Sequence, residues 1–336
     1  MTSGQAPVCV VIAAMNASGT IARAVGSALR EREVCEVLVV DDGSSDDTAE
    51  VSLGADDGTG RLRILRLETN RGPAFARNHA IARSTAPLIA ILDADDFFLP
   101  GRFKTLLAQD DWDFAADNIA FIDARHAHAE QQVGAFAPEP RVLDLAAFIE
   151  GNISRRGASR GEIGFLKPVM RRGFLEAHGL HYREELRLGE DYDLYARALL
   201  RGARYKVVHA CGYGAVVRHN SLSGQHRTLD LKRLYEADRA MLASGEVPAH
   251  ARRLLEKHER HIRARYELRR FLDEKKEGGL MRAGLRALTR PTALPAIVGG
   301  VAADKLEAFN TKREPVEDDG PAPLRYLLPA RPAAQK

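Results

Sequence analysis

Leu88-Ile89-Ala90-Ile91-Leu92-Asp93-Ala94-Asp95-Asp96 begins as an apolar run and ends in acids. A run this short, closed by polar residues, reads as a buried strand of a parallel sheet. Open α/β sheets bind ligands at the carboxyl ends of their strands. A strand that delivers Asp93, Asp95 and Asp96 to that edge supplies oxygen donors suited to a hard divalent cation. Acids after a strand also serve as helix caps and turn residues. The stretch alone leaves both readings open.

Its neighbours set the fold class. Val8–Ala14, Val37–Val40 and Ile64–Leu67 read as three earlier strands. Between the first two, Ile21, Ala24, Val25, Ala28 and Leu29 fall on one helical face. Asn70-Arg71-Gly72-Pro73 opens another helix, with Pro73 at an early position where a missing N–H costs nothing. Strands alternating with helices predict an α/β fold, with a mainly parallel sheet, right-handed crossovers and helices on both faces. Further on, Phe97–Phe103 reads as a turn into a helix and Phe114–Ile122 as a strand. Residues 124–160 read as irregular, with a short helix near Leu143–Ile149. Two more helices end at Gly179 and Gly202. Tyr205–His209 and Tyr213–Val217 read as two separate strands, and from about Leu229 the pattern is helical and charged.

Composition narrows the chemistry. The 336 residues carry a net charge of only +3, which gives no general case for nucleic-acid binding. Three cysteines lie far apart, without C-x-x-C or zinc spacing. The first residues lack a charged n-region and an apolar h-region, and no window of about 18 apolar residues occurs. A cytoplasmic protein is expected. After the first strand stands Ala14-Met15-Asn16-Ala17-Ser18-Gly19, not G-x-G-x-x-G, and no Walker-type loop occurs anywhere. Dinucleotide dehydrogenases and P-loop NTPases are therefore disfavoured. Within Ala249–Arg290, thirteen Lys and Arg stand against six Asp and Glu, a net of +7. That segment is either a solvated helix or a surface for anionic lipid headgroups.

Several motifs now stand in register: Asn16 after the first strand; Val39-Val40-Asp41-Asp42-Gly43-Ser44-Ser45-Asp46-Asp47-Thr48; Asn70-Arg71-Gly72-Pro73-Ala74-Phe75-Ala76-Arg77-Asn78; Leu92-Asp93-Ala94-Asp95-Asp96; Gly189-Glu190-Asp191; and Arg218-His219-Asn220-Ser221-Leu222-Ser223. In this order they resemble family 2 glycosyltransferases of the GT-A fold, over roughly residues 7–225. The whole chain further resembles glucosyltransferases that extend the lipid-linked repeat unit of succinoglycan-type exopolysaccharides. The resemblance implies a GT-A domain over 1–225, with a nucleotide-sugar half at 7–123 and an acceptor half at 124–225. A basic helical extension at 226–311 and a flexible tail at 312–336 follow.

The resemblance also implies an activity: inverting transfer of one sugar, glucose from UDP-glucose, to an acceptor hydroxyl on a glycan or lipid-linked oligosaccharide. Asp41 or Asp42 would then contact the uracil or ribose, and Arg71 and Arg77 would lie beside the nucleotide or diphosphate. Asn16 and Glu190 would join the substrate site. Asp95 would be the principal ligand of Mg²⁺ or Mn²⁺, Asp93 would support it directly or through water, and His219 would lie near the diphosphate or on the metal. Asp191 would be the general base, and Asp96 would only cap the turn into Phe97. The Q-x-x-R-W motif of processive synthases is absent, which implies single-sugar transfer. Peripheral contact with the cytoplasmic membrane face would suit a lipid-linked acceptor. Two rivals carry different expectations. A sugar-nucleotide pyrophosphorylase would open with G-x-x-x-R after the first strand, where Ala14-Met15-Asn16-Ala17 stands. A non-catalytic scaffold would tolerate loss of Asp95 and Asp191, and both are present.

Overall fold

A sheet is covered on both faces only if its strands are apolar without alternation, and the first strands meet that condition. In the computed structural model, which describes residues 7–127, 133–134, 140–153, 162–217, 227–290, 293–300 and 324–328, Val8–Ala14 (β1) and Leu88–Ile91 (β4) are almost wholly buried. β1 pairs in parallel with β4 on one side and with Val34–Asp41 (β2) on the other. β2 pairs in parallel with Leu62–Arg66 (β3). The connecting helices are Ile21–Leu29 (α1), Thr48–Gly54 (α2) and Pro73–Ile81 (α3). All five apolar-face residues expected on α1 are buried.

Past β4 the chain abandons simple alternation. Phe97–Phe98 (β5), Arg102–Leu107 (α4), Phe114–Asp123 (β6), Arg141–Leu143 (β7), Leu145–Glu150 (α5), Val169–Arg171 (β8), Arg172–Ala177 (α6), Glu190–Leu200 (α7) and Tyr205–Val217 (β9) follow. The main strand order is β3-β2-β1-β4-β8-β6-β9-β5. β8 runs antiparallel to both β4 and β6, while β6 and β9 are parallel. The sheet is thus parallel through β4 and mixed beyond it.

Three sequence expectations need correction here. Phe97–Phe98 is a strand and not merely a turn, because it pairs with Tyr213 and Gly214 of β9. A Cβ on Gly214 would stand 2.8 Å from the Phe97 ring, so glycine makes that approach possible. The two strands expected at 205–217 are one, whose register shifts opposite Ala116–Ile119 without breaking the ladder. Gly212 lies in that stretch because any Cβ would meet Arg102 and Asp117, a fully buried ion pair at 2.9 Å. Last, the segment read as a flexible tail contains Arg325–Tyr326 (β10), antiparallel to β6. The buried amide of Asn118 fixes it, accepting from Leu328 N at 2.8 Å and donating to Leu328 O at 3.0 Å.

The chain divides into two compact units, residues 1–221 with 324–336, and residues 222–323. The second is helical. Thr228–Ala243 (α8) packs on Ala249–Leu288 (α9). Buried His258 Nδ1 lies 2.7 Å from Asp238, and Arg239 pairs with Glu259 at 2.7 Å beside it. α9 is interrupted at Gly279, whose φ of 78° is left-handed. The chain folds back there, so that Arg286 lies 3.5 Å from Glu274 and Arg290 4.0 Å from Glu267. Among the described residues, no helix is long and apolar enough to cross a membrane.

Candidate active site

The parallel register of β2, β1 and β4 brings the carboxyl ends of these strands to one edge, and the acids follow. At the β2 end, Asp42 accepts from the backbone N–H groups of Arg71 and Gly72, both at 2.7 Å. Asp41 accepts from Ser44 N at 3.0 Å and lies 3.5 Å from Arg66 Nε. Asn16, left-handed at φ 49°, accepts from Ser45 N and takes its own backbone bond from its N–H to Ser44 Oγ. Gly43 is required here, since a Cβ would come within 2.8 Å of Asn70 N. The Arg71 guanidinium lies over the Phe75 ring, 3.5 Å from its centroid.

At the β4 end the fastening is ionic. Arg77, on α3 and buried, donates to Asp93 at 2.9 Å, to Glu190 at 2.9 Å and to Asp191 at 3.2 Å. Lys167, also buried, reaches the other oxygen of Asp93 at 3.0 Å and the other oxygen of Asp191 at 2.7 Å. The four groups Arg77, Asp93, Lys167 and Asp191 close a ring, with Glu190 attached through Arg77. Glu190 and Asp191 lie in the first turn of α7, where the helix dipole favours anions.

Three carboxylates share two buried cations, and Asp93 and Glu190 shift in opposite directions. Burial pulls the Asp93 carboxyl up, but Lys167 and Arg77 outweigh it and hold the group at about 2. Burial likewise opposes the charges of Lys167 and Arg77, and the surrounding acids, Asp191 first, more than restore them. Glu190 moves the other way: burial and the nearby Asp191 raise it despite Arg77.

Asp96 is no mere turn cap. It is buried, accepting from the Tyr213 hydroxyl at 2.8 Å and from Val216 N at 2.9 Å. Burial, with Asp95 and Asp93 nearby, raises its carboxyl well above the usual range. The same hydroxyl accepts from Asp93 N at 3.2 Å, so β9 clamps the corner from behind. Asp95 is half-buried, and its backbone carbonyl accepts from Arg23 at 2.8 Å. Among the described residues, no three or more His, Cys, Asp or Glu converge as a ready-made metal cage. Ions of the magnesium type take one or two carboxylates, with waters and substrate phosphate oxygens completing the shell. His219 lies outside the described residues.

A family model described as glycosyl transferase family 2 matches residues 9–174. The succinoglycan biosynthesis protein ExoU of Rhizobium meliloti (strain 1021) is 64% identical over 324 residues, 96% of this chain and 95% of that protein. The chain belongs to glycosyl transferase family 2. Solved structures extend the likeness of fold. TarS 1-349 of S. aureus, in complex with UDP-GlcNAc, is 19% identical with a TM-score of 0.59, covering 86% of this chain and 79% of that one. The mannosyltransferase PcManGT from Pyrobaculum calidifontis, in complex with GDP-Man and Mn²⁺, is 16% identical with a TM-score of 0.53, covering 93% and 83%.

This glycosyltransferase thus brings Arg77, Asp93, Glu190 and Asp191 into one network, and Asn16, Asp41, Asp42 and the Arg71 backbone into another. The family resemblance implies Arg77 beside the nucleotide or diphosphate; in the structure its guanidinium donates to Asp93, Glu190 and Asp191. Sequence reasoning missed Lys167. It stands in Gly164-Phe165-Leu166-Lys167-Pro168-Val169-Met170, where a lone lysine amid apolar residues just before a strand was the available signal.

Proposed function

We propose that this glycosyltransferase moves one glucose from UDP-glucose to a hydroxyl of a lipid-linked oligosaccharide, with inversion, in the assembly of a bacterial exopolysaccharide. The observation that carries the reading is the ring of Arg77, Asp93, Lys167 and Asp191. It ties Asp191, 12% exposed, to Asp93 just past the end of β4. The likeness to ExoU supports the exopolysaccharide role, and the UDP-GlcNAc complex of TarS supports a UDP-sugar donor.

In this reading Asp191 is the general base. The acceptor oxygen forms a bond to the anomeric carbon on the face opposite the diphosphate, and its proton passes to Asp191. The anomeric C–O bond breaks, and its electron pair leaves with UDP. Each Asp191 oxygen has a second lone pair beyond its bond to Arg77 or Lys167, so the carboxylate can still accept a proton. The ring also manages the charge that results. When Asp191 is neutralised, Arg77 and Lys167 keep Asp93 as a partner, and neither is left as an unpaired buried cation. Asp41 or Asp42 faces the uracil or ribose, beside the Asn16 and Arg71 segments. Asp95, with Asp93 supporting it directly or through water, would hold a divalent cation, Mg²⁺ or Mn²⁺, beside the donor diphosphate. Such an ion, when bound, stabilises the negative charge that develops on the diphosphate.

Incubation with UDP-glucose and either ion should release UDP. Asp191→Asn should lower that rate by roughly 10²–10⁴-fold, with UDP-glucose affinity by calorimetry close to the parent. Full turnover in that variant would remove Asp191 as the base. A thermal-shift series with UDP-, GDP- and dTDP-sugars should show the largest gain with UDP-glucose; a larger gain with a GDP-sugar would overturn the donor.

A further inference from the structure

The short helix after Gly279 is inverted relative to an ordinary surface helix. Such a helix turns large apolar residues inward and small or polar ones outward. Here Ala283 and Ala287, one turn apart, face inward, with Ala287 in a buried cluster with Ala293 and Ile297. Met281, Leu285 and Leu288, spaced four and three residues apart, stand on the opposite side. They are 81%, 62% and 67% exposed, and Leu280 beside them is 63% exposed. Contiguous large apolar side chains in water are costly and mark an interaction surface.

The charge around this face identifies its partner. Lys275 and Lys276 are exposed at the fold-back, and Arg282 is exposed on the flank of the stripe. Arg286 and Arg290 lie on the same flank, each half-exposed even with its glutamate partner. A second copy of the chain would bring a like-charged helix, net +7 over Ala249–Arg290, against this one. An apolar stripe bordered by cations instead fits a bilayer interface, where Leu and Met enter the acyl boundary and Lys and Arg meet anionic headgroups.

We propose that the fold-back of α9 is a membrane-docking element: Leu280, Met281, Leu285 and Leu288 enter an anionic phospholipid surface while Lys275, Lys276 and Arg282 bind its headgroups. This deepens the reading of a lipid-linked acceptor, but its test needs neither donor nor acceptor, so either idea can fail alone. The full chain should sediment with vesicles of phosphatidylglycerol and phosphatidylcholine, bind phosphatidylcholine alone far less, and detach as salt rises. The triple variant M281Q/L285Q/L288Q should bind the mixed vesicles roughly tenfold more weakly or worse. Its circular dichroism and its UDP release from UDP-glucose should match the parent, since these side chains are exposed and lie outside the site. Equal vesicle binding by parent and variant would overturn the proposal. So would a solution dimer that the same substitutions dissolve, because the face would then be a subunit contact.

Discussion

At the end of β2, Asp42 takes two hydrogen bonds from backbone N–H groups; just past β4, Asp93 takes its bonds from a lysine and an arginine. Both acids follow parallel strands at one edge of one sheet, yet they are fastened by different means. Backbone donors carry no net charge and do not titrate, so what they fix at Asp42 is position. Side-chain cations fix charge as well as position, and they are shared. Lys167 and Arg77 tie Asp93 to Asp191, nearly a hundred positions later, so the β4 corner couples the strand end to α7. One corner is built to present a contour and the other to hold a defined pattern of protons.

The largest expected effect breaks the ionic corner. Lys167→Met leaves Asp191 and Asp93 each short of a partner in a mostly buried place. It should cost about 3 kcal/mol in urea unfolding, the lower end for breaking a buried pair because Asp93 is a third exposed. UDP release should fall with it, and Lys167→Arg should restore stability in part. A variant as stable as the parent would show that the ring does not hold the corner.

Asp42→Ala should cost less, about 2 kcal/mol, because it strands two backbone donors and no charge. It should weaken UDP-glucose binding in calorimetry while leaving the titration of Asp93 untouched. That independence is the sharpest form of the contrast; a moved Asp93 midpoint would join the two corners into one unit.

The smallest effect is in pH. Asp93 should titrate at about 2 by carboxyl NMR, and its midpoint should climb toward the ordinary value near 3.9 in Lys167→Met. A depressed folded-state value stabilises the protein above the unfolded value, so the Asp93 contribution is complete above about pH 4 and is lost as pH falls toward 2. Glu190 and Asp96 work in the opposite sense, since their raised values favour the folded state at lower pH. An Asp93 midpoint near 4 in the parent would dissolve the proposed pairing.

The parts of this molecule that were legible in the sequence are those made from local signals. β1, β2, β4 and their helices declare themselves through runs of apolar residues and a helical face, and each acid motif sits directly after its strand. The mixed half is built from distant partners. Phe97–Phe98 is too short to show a period and becomes a strand only because Tyr213 and Gly214 lie beside it. Residues 205–217 contain Ala210-Cys211-Gly212, which looks like a break until the Arg102–Asp117 pair is seen to need that glycine. The same limit explains the site. Asp191 and Arg77 stand within recognisable motifs, whereas Lys167 acquires its role from two carboxylates on other elements. Asp96 looked like a turn residue because its partners, Tyr213 and Val216, are 117 and 120 positions away.

β10 has a consequence for the order of assembly. Asn118 and Leu328 are separated by 210 positions, with the whole helical unit between them in the chain. Pairing across such a span must await closure of a very long loop, and the entropy of that closure is among the slow terms in folding. The β6 margin therefore stays open while the rest of the sheet condenses, with a buried-type amide still in water. Only loss of the strand itself removes the pairing: a chain ending before Leu324 would leave Ala120, Phe121 and the Asn118 amide without their β10 partners.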